Sequence, residues 1–461
     1  MEKNEAGDSG FKNAALLVAT FASFLTPFMG SALNVALPTI GKDFNTNAIT
    51  LNWIVSSYIL ATAMILLPAG RMADIIGRKK VFTSGIVLFI TASVLCALSP
   101  NVYFLIVFRV FQGTGSALIF GTGVAIITSA FPPGERGKAL GINVSAVYAG
   151  LTLGPFGGGL LTQYLGWRSV FWFTVPIGLI SLFLIITRLK TEWAEAKGES
   201  FDWKGMMFYS LSLILIMYGF SRLPNWIGFL FLVSGIFILA VFILFEQKVK
   251  FPLFEMDLFK KNKTFAFSNL AALINYSATF AVGFLLSLYL QYIKGLYPGA
   301  AGLVLVSQPV VMAVFSPITG RLSDKIEPRI VASLGMSLSA IGLFLFLFIK
   351  STTPIPLIII NLIFIGLGFA LFSSPNTNAI MSSVDKKHYG VASGSVGTMR
   401  MVGQMFSMGI ALLLFSIFLG KNEILPENYP SFLSAMHVAF IIFTILCFSG
   451  IFASLARGKL R

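Results

Sequence analysis

The sequence predicts an all-α protein that crosses a membrane fourteen times, as two six-helix bundles with two further helices between them. Three observations carry this: the composition, a succession of apolar windows of spanning length, and an internal repeat. Of 461 residues 56% are hydrophobic and 11% charged, with 46 Phe and a mean hydropathy of +0.86. Soluble domains carry about 25% charged residues, so this chain cannot build a water-facing surface.

A helix of about 17 to 25 apolar residues crosses the ~30 Å hydrocarbon core. Windows of that kind lie at 13–38, 50–69, 81–99, 102–130, 139–162, 169–187, 205–221, 226–245, 265–290, 299–319, 330–349, 354–376, 389–419 and 432–455. The first follows a short tail of mixed charge and opens the whole array, so it reads as a span and not as a cleaved signal peptide. The seventh and eighth are joined only by Ser221 to Asn225, and a twelve-helix alternative makes that pair a re-entrant or interfacial hairpin. Both counts are even, so both chain ends fall on one side.

Charge gives the orientation. The net charge is +15, yet 25 of the 33 Lys and Arg lie in the tails or in loops after even-numbered windows, against six in the remaining loops. Short cytoplasmic loops retain positive charge, so both termini are expected in the cytoplasm. The basic excess is then a topology signal and not a nucleic-acid surface, which needs Lys and Arg gathered on one exposed face. Cys96 and Cys447 are lone residues in apolar windows, and His388 and His437 sit in no metal-ligand spacing. No disulfide framework, metal site, cofactor or enzyme is expected.

The repeat has a near-constant offset. GRMADIIGRKK at 70–80 is echoed by GRLSDKIEPRI at 320–330, and Gly113, Gly115, Gly141 and Gly150 recur as Gly366, Gly368, Gly394 and Gly403. This divides the chain into a bundle over 1–190, an inserted pair over 191–263 and a second bundle over 264–461. Two repeated bundles suit a transporter in which one half rocks against the other.

Three segments stand out. In the 70–80 loop, Gly70 and Gly77 permit a tight turn, Asp74 supplies an anion, and Arg71, Arg78, Lys79 and Lys80 are cations; Arg321 and Asp324 are the second-half counterparts of Arg71 and Asp74. Arg109 lies inside the fourth window, where a guanidinium costs at least ~2.5–3.5 kcal/mol unless it meets a partner or a wet cavity. Gln112 and Gly113 follow one turn on, making a polar interior stripe, with outward snorkelling the alternative. The fifth window reads Gly141, Gly150, Gly154-Pro155, Gly158-Gly159: small residues for close helix approach and a proline to kink the axis.

With these residues the chain resembles the fourteen-helix drug/proton antiporter branch of the major facilitator superfamily over essentially its whole length. Supporting pieces are Asn34 to Pro38 closing the first helix, Trp53 and Tyr58 in the second, and Gly166-Trp167-Arg168 before the sixth. The resemblance implies that Asp74 locks the cytoplasmic gate, that Arg109 takes part in proton coupling, and that Gly141 to Gly159 forms the hinge. Three positions depart from it: Met29 where many relatives have Asp, Ile75 where Arg is common, and Glu327 opposite Gly77. All 18 carboxylates fall in tails, loops or helix ends, Glu246 being nearest the membrane, so no obvious intramembrane acid serves proton exchange.

The few other polar or aromatic groups inside the windows, Asn34, Tyr58, Asn143, Tyr148, Asn275, Gln308, Asn376, Arg400 and Gln404, together with Met29, are the candidate cavity lining, although each amide suits an interhelical hydrogen bond equally. Interior Arg without interior acid favours neutral, zwitterionic or anionic substrates over dications. The expectation is a multi-pass plasma- or inner-membrane exporter of lipophilic small molecules in exchange for protons, working as a monomer. One alternative is export or equilibration of an endogenous metabolite without protons. Another is a transporter-like receptor or scaffold, which the hinge glycines argue against.

Overall fold

The computed structural model describes residues 2–132, 135–189, 191–385, 389–420 and 422–458; side chains at 2–10, 136–138, 324, 389 and 390 are outside that description. His388 and the Asp324 side chain therefore fall outside the described residues. Fourteen helices are long and apolar enough to span a membrane. They are α1 (Phe11–Phe44), α2 (Ala48–Ile76), α3 (Arg78–Ala97), α4 (Val102–Ala130), α5 (Ala139–Leu165), α6 (Arg168–Arg188), α7 (Trp203–Arg222), α8 (Trp226–Glu246), α9 (Lys263–Ile293), α10 (Pro298–Ser323), α11 (Pro328–Phe348), α12 (Ile355–Ser382), α13 (Val391–Phe418) and α14 (Pro426–Ala456). The α7–α8 pair, the weakest expectation, consists of two full helices of 20 and 21 residues.

Local sequence sets the starts of the helices. The side chains of Asn47, Asn101, Asp202, Asn225 and Asn262 each accept a backbone N–H in the first turn of α2, α4, α7, α8 and α9, satisfying donors that a helix leaves orphaned. Gly77, at φ +126, makes the sharp joint between α2 and α3. Two windows differ from expectation: α9 is interrupted at Phe280 and ends in a π-turn over Tyr289–Ile293, and α10 is interrupted at Val306. A π-turn of this sort shifts the register of the side chains after it.

Helices α1–α6 pack among themselves (α1 on α5 and α6, α4 on α2 and α3), and α9–α14 do likewise (α12 on α10 and α11, α9 and α11 on α14). The halves meet through α2 with α13, α5 with α10 and α1 with α9, and α7 leans on both α2 and α13. The face carrying the termini is called the basic face below.

Glycines place the repeat in space. A Cβ built on Gly150 would stand 2.5 Å from the Phe24 carbonyl of α1; one on Gly403 would stand 2.6 Å from the Leu273 carbonyl of α9. Gly115 and Gly85 are pressed together between α4 and α3, as Gly368 and Gly335 are between α12 and α11. Both halves thus use the same positions for close helix approach.

Candidate functional site

The halves are clasped on the face opposite the termini. There Ser287 Oγ donates to the Asn34 carbonyl at 2.7 Å, Gln291 Nε2 to the Val35 carbonyl at 2.9 Å and Asn52 Nδ2 to the Met408 carbonyl at 3.2 Å. The Gly299 N–H donates to Gln163 Oε1 at 3.1 Å. The glycine segment of α5 serves two contacts. Gly150, Gly154 and Gly158 face α1, while Gly159 and the Pro155 carbonyl meet Pro298 and Gly302 of α10 in the other half. Toward the basic face the contact thins: Gly141 and its repeat mate Gly394 are exposed, with nothing within 4 Å of a Cβ built on either, while one built on Gly397 of α13 would still stand 3.3 Å from Leu66 of α2.

Between clasp and opening lies a layer that both halves supply. The Arg400 guanidinium of α13 stands 5.4 Å above the Phe120 ring of α4, and its buried Nε has no hydrogen-bond partner. Tyr148 of α5 sits beside the hydroxyls of Ser316 on α10 and Ser373 on α12. Tyr276 packs edge-on against Phe369 at 5.3 Å. Asn275, fully buried, leaves both amide atoms unpartnered.

Arg109 is fully buried within the first half and does not snorkel. Its Nε donates to the Ile54 carbonyl at 3.1 Å, a terminal nitrogen donates to Gln112 Oε1, and the guanidinium lies 4.1 Å over the Tyr58 ring. Gln112 passes the chain on to Ser93 at 2.7 Å, and the Tyr58 hydroxyl donates to Ser116 at 2.7 Å. No carboxylate belongs to this network among the described residues, so carbonyl dipoles and a ring face balance the charge.

Segment 70–80 is helical on both sides of a joint at Gly77, so Gly70 lies within α2 and not in the expected turn, and the segment is held from outside its own helices. Arg78 pairs with Asp74 and with Glu195, each at 2.9 Å, and Arg71 pairs with Glu199. The Lys79 N–H, at the start of α3, donates to Glu192 Oε1 at 2.9 Å, and main-chain bonds join Arg78 to Trp193 and Ala196 to Asp74. Segment 191–199 therefore lies as a strap across the joint and supplies the cap that Gly77 cannot. Sequence reasoning missed the strap; the signal was three Glu within eight residues, directly after a span and close to a basic loop.

Other predicted residues separate. Asn143 is spent on Ser23 at 2.8 Å, Met29 is buried core, and Asn376 bonds Arg457 at 2.9 Å and the Ser268 carbonyl at 3.1 Å. Asn34 contributes its carbonyl to the clasp, Gln308 and Gln404 are half-buried, Gly70 and Gly113 lie on α2 and α4, and Arg321 is exposed. Arg457, also missed, is 1% exposed beyond α14, and burial holds its guanidinium down at about 10.

Two repeated six-helix bundles, clasped at one face and open at the other around a shared polar layer, define a membrane transporter. The chain belongs to the Major Facilitator Superfamily, whose profile matches residues 19–258 and 269–459. It is a multi-pass protein of the cell membrane and not an enzyme. It is 32% identical to the riboflavin transporter RibZ of Clostridioides difficile (strain 630) over 95% of both chains. It is 29% identical to the multidrug resistance protein Stp of Mycobacterium tuberculosis (strain CDC 1551 / Oshkosh), covering 86% of this chain and 74% of that one. In fold it is similar to a bacterial homologue of the human lysosomal transporter Spinster, solved inward-facing and occupied, with TM-score 0.66 and 14% identity over 97% of each chain.

Proposed function

We propose that this protein exports lipophilic, aromatic small molecules by alternating access in exchange for protons, with the basic face in the cytoplasm. The observation that carries the reading is the layer around Arg400, Phe120, Tyr148 and Asn275, where ring faces stand beside unpartnered donors and, among the described residues, no acid. A flat ring with carbonyl or anionic edges fits such a lining, and a permanent dication does not. The halves clasp on the far face and open on the basic one, which in this orientation is the state that loads from the cytoplasm.

A second reading keeps the fold but moves an endogenous flavin-like metabolite without protons. The likeness to a riboflavin transporter favours it, as does the lack of acid in the central layer among the described residues. Everted vesicles offered riboflavin, a neutral amphiphilic dye and a dicationic dye, with and without a pH gradient, separate the two. Accumulation that collapses with the gradient, and weakens in Asp74→Asn and Arg109→Ala, supports exchange. Riboflavin accumulation indifferent to the gradient replaces it with the second reading, and dication transport as fast as that of the neutral dye overturns the charge argument.

A further inference from the structure

Glu246 ends α8 and is 2% exposed, the most deeply buried carboxylate among the described residues. Its Oε2 accepts the backbone N–H of Phe254 at 3.2 Å. Oε1 has no partner, and neither has the buried Oδ2 of Asp202, whose Oδ1 caps α7 by accepting the Gly205 N–H at 2.9 Å. The two orphaned oxygens converge on one point: a Cβ built on Gly205 would stand within 2.5 Å of both Asp202 Oδ2 and Glu246 Oε1. An ionised carboxylate only accepts, so two of them in contact have nothing to share.

Among the described residues the surroundings supply no counter-charge. Asp202 is the charged side chain acting on Glu246, and the nearby Lys260 is spent on Gln247 at 2.7 Å. Lys204 on α7 and Lys248 and Lys250 after α8 are exposed; Arg71 of α2 is taken by Glu199 and lies over Phe251; Arg400 of α13 lies over Phe120. The donor missing between the two oxygens is a proton.

We propose that Asp202 and Glu246 form a proton-binding site, one proton being shared between Asp202 Oδ2 and Glu246 Oε1 so that the basic-face ends of α7 and α8 are tied together. The hairpin leans on both halves: Tyr209 donates to the Ala63 carbonyl of α2 at 3.1 Å, and Phe220 and Met217 crowd Gly409 of α13. Losing the proton leaves two like charges in contact at its foot, driving α7 and α8 apart beside the α2–α13 seam. The pair thus senses pH on the basic face, whether or not protons drive transport.

The test uses resting, full-length protein in detergent, so its failure leaves the export reading untouched. Infrared titration of the native protein is expected to show a protonated carboxyl at neutral pH that is absent from Glu246→Gln and Asp202→Asn. Asn caps a helix as Asp does, so the second variant keeps α7 intact. From about pH 4.5, where the carboxyl of the unfolded chain titrates, to about pH 7 the native unfolding equilibrium should gain up to about tenfold per pH unit relative to Glu246→Gln, whose amide donates at every pH, and the two curves should run parallel above that. Curves that run parallel over the whole range overturn the proposal. If a variant does not fold, the native spectrum decides alone: no protonated carboxyl at neutral pH overturns it.

Discussion

If the far-face clasp holds the observed state, cutting two of its bonds must move the chain toward the opposite opening. The perturbation is Ser287→Ala with Gln291→Ala, which removes the bonds to the Asn34 and Val35 carbonyls. A typical intramolecular hydrogen bond contributes about 0.5–1.5 kcal/mol net. The Val35 carbonyl keeps its ladder bond within α1, whereas Pro38 brings no N–H to the Asn34 carbonyl, so about 1 kcal/mol each is a lower figure. The sum, about 2 kcal/mol, shifts the equilibrium between the two openings roughly 30-fold. Both native cysteines, Cys96 and Cys447, are buried, so a single reporter thiol at Gly394→Cys reads the basic-face opening without background. Its alkylation by a membrane-impermeant reagent in the double variant should slow by an order of magnitude if the observed opening is no longer the main state. Labelling within about twofold of the parent refutes the assignment of these bonds to the clasp.

Gly150→Ala and Gly403→Ala each push a methyl against a carbonyl of a neighbouring helix, and thermal unfolding should report about 1–3 kcal/mol lost in both. Gly141→Ala and Gly394→Ala meet open space and should hold stability or gain up to ~1 kcal/mol from helix propensity. Trp193→Ala should loosen the strap, seen as faster proteolysis within 191–199 with little change in the global melt, since the surface ion pairs there contribute about 0–1 kcal/mol. Arg109→Leu should fold and melt at or above the parent temperature while transport falls; loss of folding would make the guanidinium a structural necessity.

The fold was legible because the bilayer forces it: each window had to close its own hydrogen bonds, so length and apolarity alone gave all fourteen helices. The break at Phe280 was not, because an interrupted helix and a straight one of equal apolarity read alike. The site was legible only where backbone sterics write it. The glycines at 150, 154, 158 and 159 announce close approach, and two helices do approach there. Amides were ambiguous: Asn143 and Asn376 satisfy neighbours, whereas Asn275 is unspent, a difference set by tertiary partners. Asp202 and Glu246 are separated by two whole helices in sequence, and only the hairpin brings them together.

Within the membrane the two halves share steric positions and not charges, although Arg71 and Asp74 at the basic face keep counterparts in Arg321 and Asp324, and this asymmetry separates folding from transport. Offset by the repeat, Arg109 of α4 corresponds to Leu362 of α12, equally buried, so the packing of that seam does not require a guanidinium. Arg400 of α13 corresponds to Val147 of α5, and Gly77 to Glu327. Glycines at 85, 113, 115 and 150 keep their mates at 335, 366, 368 and 403 and lie against matching helices. What the repeat keeps is therefore what two bundles need in order to pack. What it drops falls into one strapped joint and one buried cation network in the first half, and one cation reaching from the second half to a ring of the first. A buried charge without an acid is expensive to maintain, and an apolar residue serves the equivalent place in the other half. The retained cost of Arg109 is then most directly explained by work that only one half performs.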